Sequence, residues 1–138
     1  MKRAVFLDTS AWLPVVVRRE QGHTELRATY QQLVEGGGGR LVTSNLVVAE
    51  LHALVVRRRG AEAGIALIES VYADPAHEVM FVDRAFEARA VDRWLRPFRD
   101  QLFSLCDAVS FEIMRQEGIR KAFALDRHFA VAGFETVP

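Results

Sequence analysis

Short apolar runs alternate with amphipathic stretches along the whole of this chain. Ala4-Val5-Phe6-Leu7 is an apolar run closed by Asp8, the pattern of a buried strand. Thr9 or Ser10 is placed to cap a short helix after it, where Pro14 is tolerable only in the first turn. Residues 24–34 are polar with Leu26, Tyr30, Leu33 and Val34 at helical spacing. Gly36 to Gly39 then read as a flexible connection. Leu41-Val42-Thr43 is a second strand, and Ser44 or Asn45 caps a helix that Gly60 ends after Arg57-Arg58-Arg59. A further helix runs over 61–72 and stops near Pro75. A third strand covers 79–82, and Asp83 caps a helix carrying Phe86, Ala90, Val91, Trp94 and Leu95 up to Pro97. The helix over 105–117 closes at Gly118. A fourth strand covers 122–125 and ends at Asp126, and a helical turn leads to a fifth strand near Phe134.

Strands that alternate with helices predict an α/β fold. Its mainly parallel sheet of four or five strands is covered on both faces. In such sheets ligands bind beyond the carboxyl ends of the strands. A chain of 138 residues is expected to form one domain over 1–138, and it can bury a core unaided. The single cysteine, Cys106, excludes an internal disulfide and a thiolate metal cluster. No apolar run approaches the ~20 residues of a bilayer span, and the first residues are too short for a signal-peptide core. The expected location is cytoplasmic, with no membrane association. Lys plus Arg equals Asp plus Glu, at 18 each, so polyanion binding needs a local patch. Only Lys2 and Lys121 are lysines, and arginine suits bidentate phosphate contacts, although base composition is the commoner cause of such a bias.

Four acids, each bordered by apolar residues, stand near strand ends or helix N-termini, and two of them, Asp8 and Asp126, are where the strand-end rule points. Asp8 and Asp126 follow apolar runs, and each taken singly reads as a helix cap worth about 1 kcal/mol. Glu50 shares a helix side with Leu46, Val47 and Leu54. There a buried carboxylate is costly unless paired or metal-bound, and a snorkelling head is the commoner case. Ser104 and Asp107 have capping-box spacing. The combination carries more than its parts. Clustered carboxylates raise one another's pKa, and a hard divalent cation relieves them.

At these residues the chain resembles a known family, the PIN-domain ribonucleases, and in particular the VapC-type toxins of type II toxin–antitoxin systems. The matching segments are Val5-Phe6-Leu7-Asp8-Thr9-Ser10, Thr43 to Leu51, Ser104 to Phe111, and Ala124-Leu125-Asp126-Arg127-His128-Phe129, in order and across the whole chain. The resemblance implies a PIN-like three-layer α/β/α fold. It implies a Mg²⁺- or Mn²⁺-dependent endoribonuclease that cleaves single-stranded RNA. It also implies a homodimer and a cognate antitoxin that covers the site. Asp8, Glu50, Asp107 and Asp126 then correspond to the metal-binding and catalytic acids. Thr9, Ser10 and Ser44 are candidates for nearby hydroxyl contacts, and Arg127 for an RNA contact.

Other residues carry less. Asp100 sits in a polar loop as a candidate fifth acid. The histidines, His23, His52, His77 and His128, have no mutual metal spacing, although His128 is close to Asp126. Trp94 reads as core, and Trp12 as a surface that stacks on bases or another copy. A receiver-type domain would place its late lysine after its strand, and Lys121 precedes it. A haloacid-dehalogenase-type phosphatase would need Asp-x-Asp where this chain has Asp8-Thr9-Ser10. The remaining alternatives are a catalytically silent PIN-fold binding module and an RNA-maturation nuclease outside any toxin system.

Overall fold

The computed structural model describes residues 3–36 and 39–138, and Gly37 and Gly38 of the glycine connection lie outside them. The chain opens with β1 (Ala4–Leu7), α1 (Thr9–Val16) and α2 (His23–Glu35). Next come β2 (Arg40–Ser44), α3 (Asn45–Arg59), α4 (Ala61–Ala73) and β3 (His77–Met80). Helix α5 (Arg84–Ala90) runs on into a π-helical turn at Val91–Leu95, and α6 (Leu105–Glu117) follows. The chain closes with β4 (Lys121–Phe123), α7 (His128–Val131) and β5 (Glu135–Val137).

The sheet order is β3-β2-β1-β4-β5, and every neighbouring pair is parallel. The chain steps from β1 through β2 to one edge, then crosses back to β4 and β5. Right-handed crossovers put the helices of the two directions on opposite faces. The packing agrees: α1 contacts α2 and α3, and α3 contacts α4, whereas α6 contacts α5, the π turn and α7. The direction reverses between β1 and β4, the position at which such sheets bind ligands.

Central strands covered on both faces must be apolar throughout. Phe6, Leu7, Val42, Ala122 and Phe123 are accordingly fully buried. Beneath α6, the Phe111 ring meets those of Trp94, Phe103, Phe129 and Phe134 at 5.0 to 5.7 Å between centroids. Burial of each such ring contributes about 1.5–3 kcal/mol. Trp94 is a core residue, as expected, and its indole N–H donates to the buried carboxylate of Glu112. Arg93 and Arg115 complete that carboxylate's pairing. Helices α3 and α4 approach so closely that a Cβ on Gly64 would stand 2.6 Å from Val56 Cγ2. No helix among the described residues is long and apolar enough to cross a membrane.

Several local expectations are corrected. Asp8, not Thr9 or Ser10, caps α1, because the helix starts directly at the strand end. Pro14 sits deep inside α1, beyond the first turn, where it has no N–H for the Ser10 carbonyl. The third strand is His77–Met80 and not 79–82. Pairing with β2 from Leu41 to Ser44 uses up that register, and the Val82 N–H turns to Asn45 Oδ1. The fourth strand stops at Phe123, since the Leu125 N–H is taken by Ser10 Oγ. Trp12 is not a surface residue: it is buried edge-on against His77.

Candidate active site

Asp8 is the turn between β1 and α1. Its Oδ2 accepts the Ser10 N–H at 3.1 Å and the Ser10 O–H at 2.5 Å. Ser10 Oγ in turn accepts the N–H groups of Leu125 (2.9 Å) and Asp126 (3.2 Å). One serine thus joins the segment after β1 to the segment after β4, across the point where the sheet reverses direction.

Asp107 is held at the first turn of α6 by a reciprocal capping box. Its Oδ2 accepts the Ser104 N–H at 3.0 Å, and Ser104 Oγ accepts the Asp107 N–H at 3.0 Å. The Nδ1 of His128 lies 3.0 Å from the same Asp107 Oδ2 and 3.4 Å from Asp126 Oδ1. Asp126 Oδ1 also accepts the His128 N–H at 2.9 Å. The Phe103 ring supports the imidazole edge-on at 5.2 Å.

These groups line one open recess. Asp8, Glu50, Asp107, Asp126 and His128 supply its charged and titratable side, and Leu13, Leu54 and Leu102 its apolar side. Asp8 is buried there, and its carboxyl is pushed up from 3.8 to about 6. Burial is the main cause, and the charges of Asp107 and Glu50 add to it, while the bonds from Ser10 pull the other way. The neighbouring Cys106 thiol is pushed up as well, first by burial and then by Glu50, Asp8 and Asp107.

Asp8 and Asp107 both act as the caps their spacing predicts, and both carboxylates also line the recess. Glu50 is exposed, so the cost of burying it does not apply, and it reaches the recess from the rim of α3. Thr9 and Ser10 line the recess too. Ser44 does not; it is fully buried and caps α3 through the Val47 N–H. Arg127 is exposed outside the lining, and Asp100 is an exposed residue bonded to Gln101. His128 escaped the spacing argument because the histidines are not grouped with one another. Its partners are aspartates, one of them 21 residues away. Leu102, 88% exposed at the mouth, gave no signal at all.

The donor set suits a hard cation. Ligand atoms of Asp107, Asp126 and His128 all lie within 4.8 Å of one another, with two carboxylates among them. Thr9 Oγ1 is buried, with no hydrogen-bond partner among the described residues, at the edge of the same recess.

Comparison with known proteins identifies the family. The PIN domain family profile matches residues 5–135. The chain belongs to the PIN-domain family. Its relatives there are of the VapC type. It is 32% identical to the 23S rRNA-specific endonuclease VapC20 of Mycobacterium tuberculosis, over 96% of this chain and 97% of that protein. It is 30% identical to ribonuclease VapC26 of the same organism, over 91% of this chain and 90% of that protein. The crystal structure of VapC20, described as a sarcin-ricin loop cleaving toxin, matches with a TM-score of 0.83 at 29% identity, covering 94% and 95% of the two chains. VapBC2 of Rickettsia felis, solved with a promoter DNA fragment, shares the fold with a TM-score of 0.70 at 12% identity, covering 97% of each chain.

Proposed function

We propose that this single PIN domain is a Mg²⁺- or Mn²⁺-dependent endoribonuclease acting on single-stranded RNA in the cytoplasm, and the toxin of a toxin–antitoxin pair. The observation that carries the reading is the convergence of Asp8, Glu50, Asp107 and Asp126 on one recess, with the Asp8 carboxyl pushed up to about 6. A hard divalent cation relieves the mutual repulsion of carboxylates gathered in this way. The VapC relatives, named as an endonuclease and a ribonuclease, support the choice of phosphodiester chemistry.

In this reading Asp107 and Asp126, whose ligand atoms lie close together, would hold the ion, with Asp8 and Glu50 on the same recess. When bound, the ion supplies an acidified water and screens the charge that builds on the phosphate. The protein's own part is to fix the acids beforehand. Ser10 aims Asp8 and ties down the Leu125–Asp126 backbone. Ser104 and His128 contact Asp107 Oδ2 and so fix that carboxylate in the recess. The orphaned Thr9 hydroxyl is a ready donor or acceptor at the same place. Ser44 acts at one remove, by starting α3 and so placing Glu50, and Arg127 stands outside for a phosphate contact. The cognate antitoxin and a homodimer complete the proposal.

The test is cleavage of a mixed single-stranded RNA pool in Mn²⁺ or in EDTA, with wild type and Asp107→Asn. Cutting that needs Mn²⁺ and disappears in the variant is expected. Equal cutting by both proteins would sink the assignment of the site.

A further inference from the structure

Helices α1 and α3 pack side by side, and both start at the carboxyl edge of the sheet because each follows a parallel strand. Leu13 and Leu54 line the acid recess. One turn further along each path, Val17 and Arg58 line a second recess with Arg19, Glu20 and Arg59. Val17 follows Leu13 and Arg58 follows Leu54 by four residues, so the two recesses lie about one helical turn apart along the same pair of helices. From Glu50 to the end of α3 at Arg59 the distance is about 13 Å, at about 1.5 Å per residue.

The charge reverses between the two recesses. The first carries the acids, and the second carries three guanidiniums against one carboxylate. That carboxylate, Glu20, is already held by Arg58 at 2.6 Å. Arg19 and Arg59 are exposed and have no ion-pair partner among the described residues. The helix dipole accounts for arginines at the end of α3. It does not account for Arg19, which enters the same recess from the turn after α1.

We propose that this basic recess binds the phosphate backbone of the RNA strand whose scissile bond sits in the acid recess, with Arg19 and Arg59 as the phosphate contacts. The proposal rests on the endoribonuclease reading above. A protein with no net charge has no long-range pull on a polyanion, so a local patch of guanidiniums such as this one is what can supply it. Arginine meets phosphate oxygens bidentately, and Leu13, Leu54 and Val17 give the two recesses apolar lining.

The experiment measures binding of a labelled single-stranded RNA in EDTA across a salt series, for wild type, Arg19→Ala/Arg59→Ala and a control pair on α5, Arg84→Ala/Arg89→Ala. Cleavage kinetics in Mn²⁺ run alongside. Loss of two phosphate contacts lowers the slope of log affinity against log salt by about 1.4, at about 0.7 per contact for single strands. We expect that change in the Arg19→Ala/Arg59→Ala variant only, with about tenfold weaker binding at low salt and a KM raised more than kcat is lowered. An unchanged slope in that variant, while wild type still binds and cuts, would overturn the role of the basic recess and leave the nuclease standing. Equal losses in both variants would overturn it too, as mere overall charge. Wild type that fails to cut any RNA in Mn²⁺ would remove the reading on which that role depends.

Discussion

Asp8→Asn tests the site without any substrate. A buried carboxyl raised from 3.8 to about 6 binds its proton more tightly in the folded state than in the unfolded one. The native state therefore holds more protons than the unfolded state between those two values. Stability contributed by that proton is complete below about pH 4 and is lost as pH rises through about 6. At neutral pH the rise corresponds to about 3 kcal/mol of instability in the metal-free protein, at about 1.4 kcal/mol per pH unit. Asparagine caps a helix about as well as aspartate and keeps an oxygen for Ser10, so the substitution removes the charge and leaves the turn. In EDTA near pH 7.5 the variant should melt higher by up to about 9 °C, at about 3 °C per kcal/mol for a chain this long. Near pH 4 the two proteins should melt together. Differential scanning fluorimetry at both pH values reads this directly. A variant that melts lower at pH 7.5, or that gains equally at both pH values, would refute the reasoning and leave Asp8 as a cap alone.

Three further outcomes follow from the same geometry. Mn²⁺ at about 100 times its Kd should stabilise wild type by about 2.7 kcal/mol and Asp107→Asn by much less, as read by the ion-induced Tm shift. Glu112→Ala strips a buried partner from the Trp94 indole and from two arginines, so it should cost about 3 kcal/mol in urea melts. RNA cleavage per folded molecule should stay unchanged, which separates this buried acid from those in the recess. Gly64→Ala drives a methyl into Val56 and His52 at the α3–α4 contact and should cost about 1–3 kcal/mol, measured by the same melts.

The alternation of short apolar runs with helical stretches was enough, from sequence alone, to determine a parallel α/β sheet, since strands covered on both faces must be apolar and their crossovers long. Local patterns also marked Asp8 and Asp126, each at a strand end followed by a helix start, and Asp107, by its capping-box spacing from Ser104. The family resemblance rested on those segments too. Tertiary structure decided what depends on distant partners. The end of β4 was set by Ser10, 115 residues away from the Leu125 N–H that it captures. The register of β3 was set by β2, and the burial of Trp12 by packing against His77 on β3. His128 joined the acids only because α7 returns beside α6. Periodicity records which way a side chain faces along its own element; what it meets there is settled by segments far away in the chain.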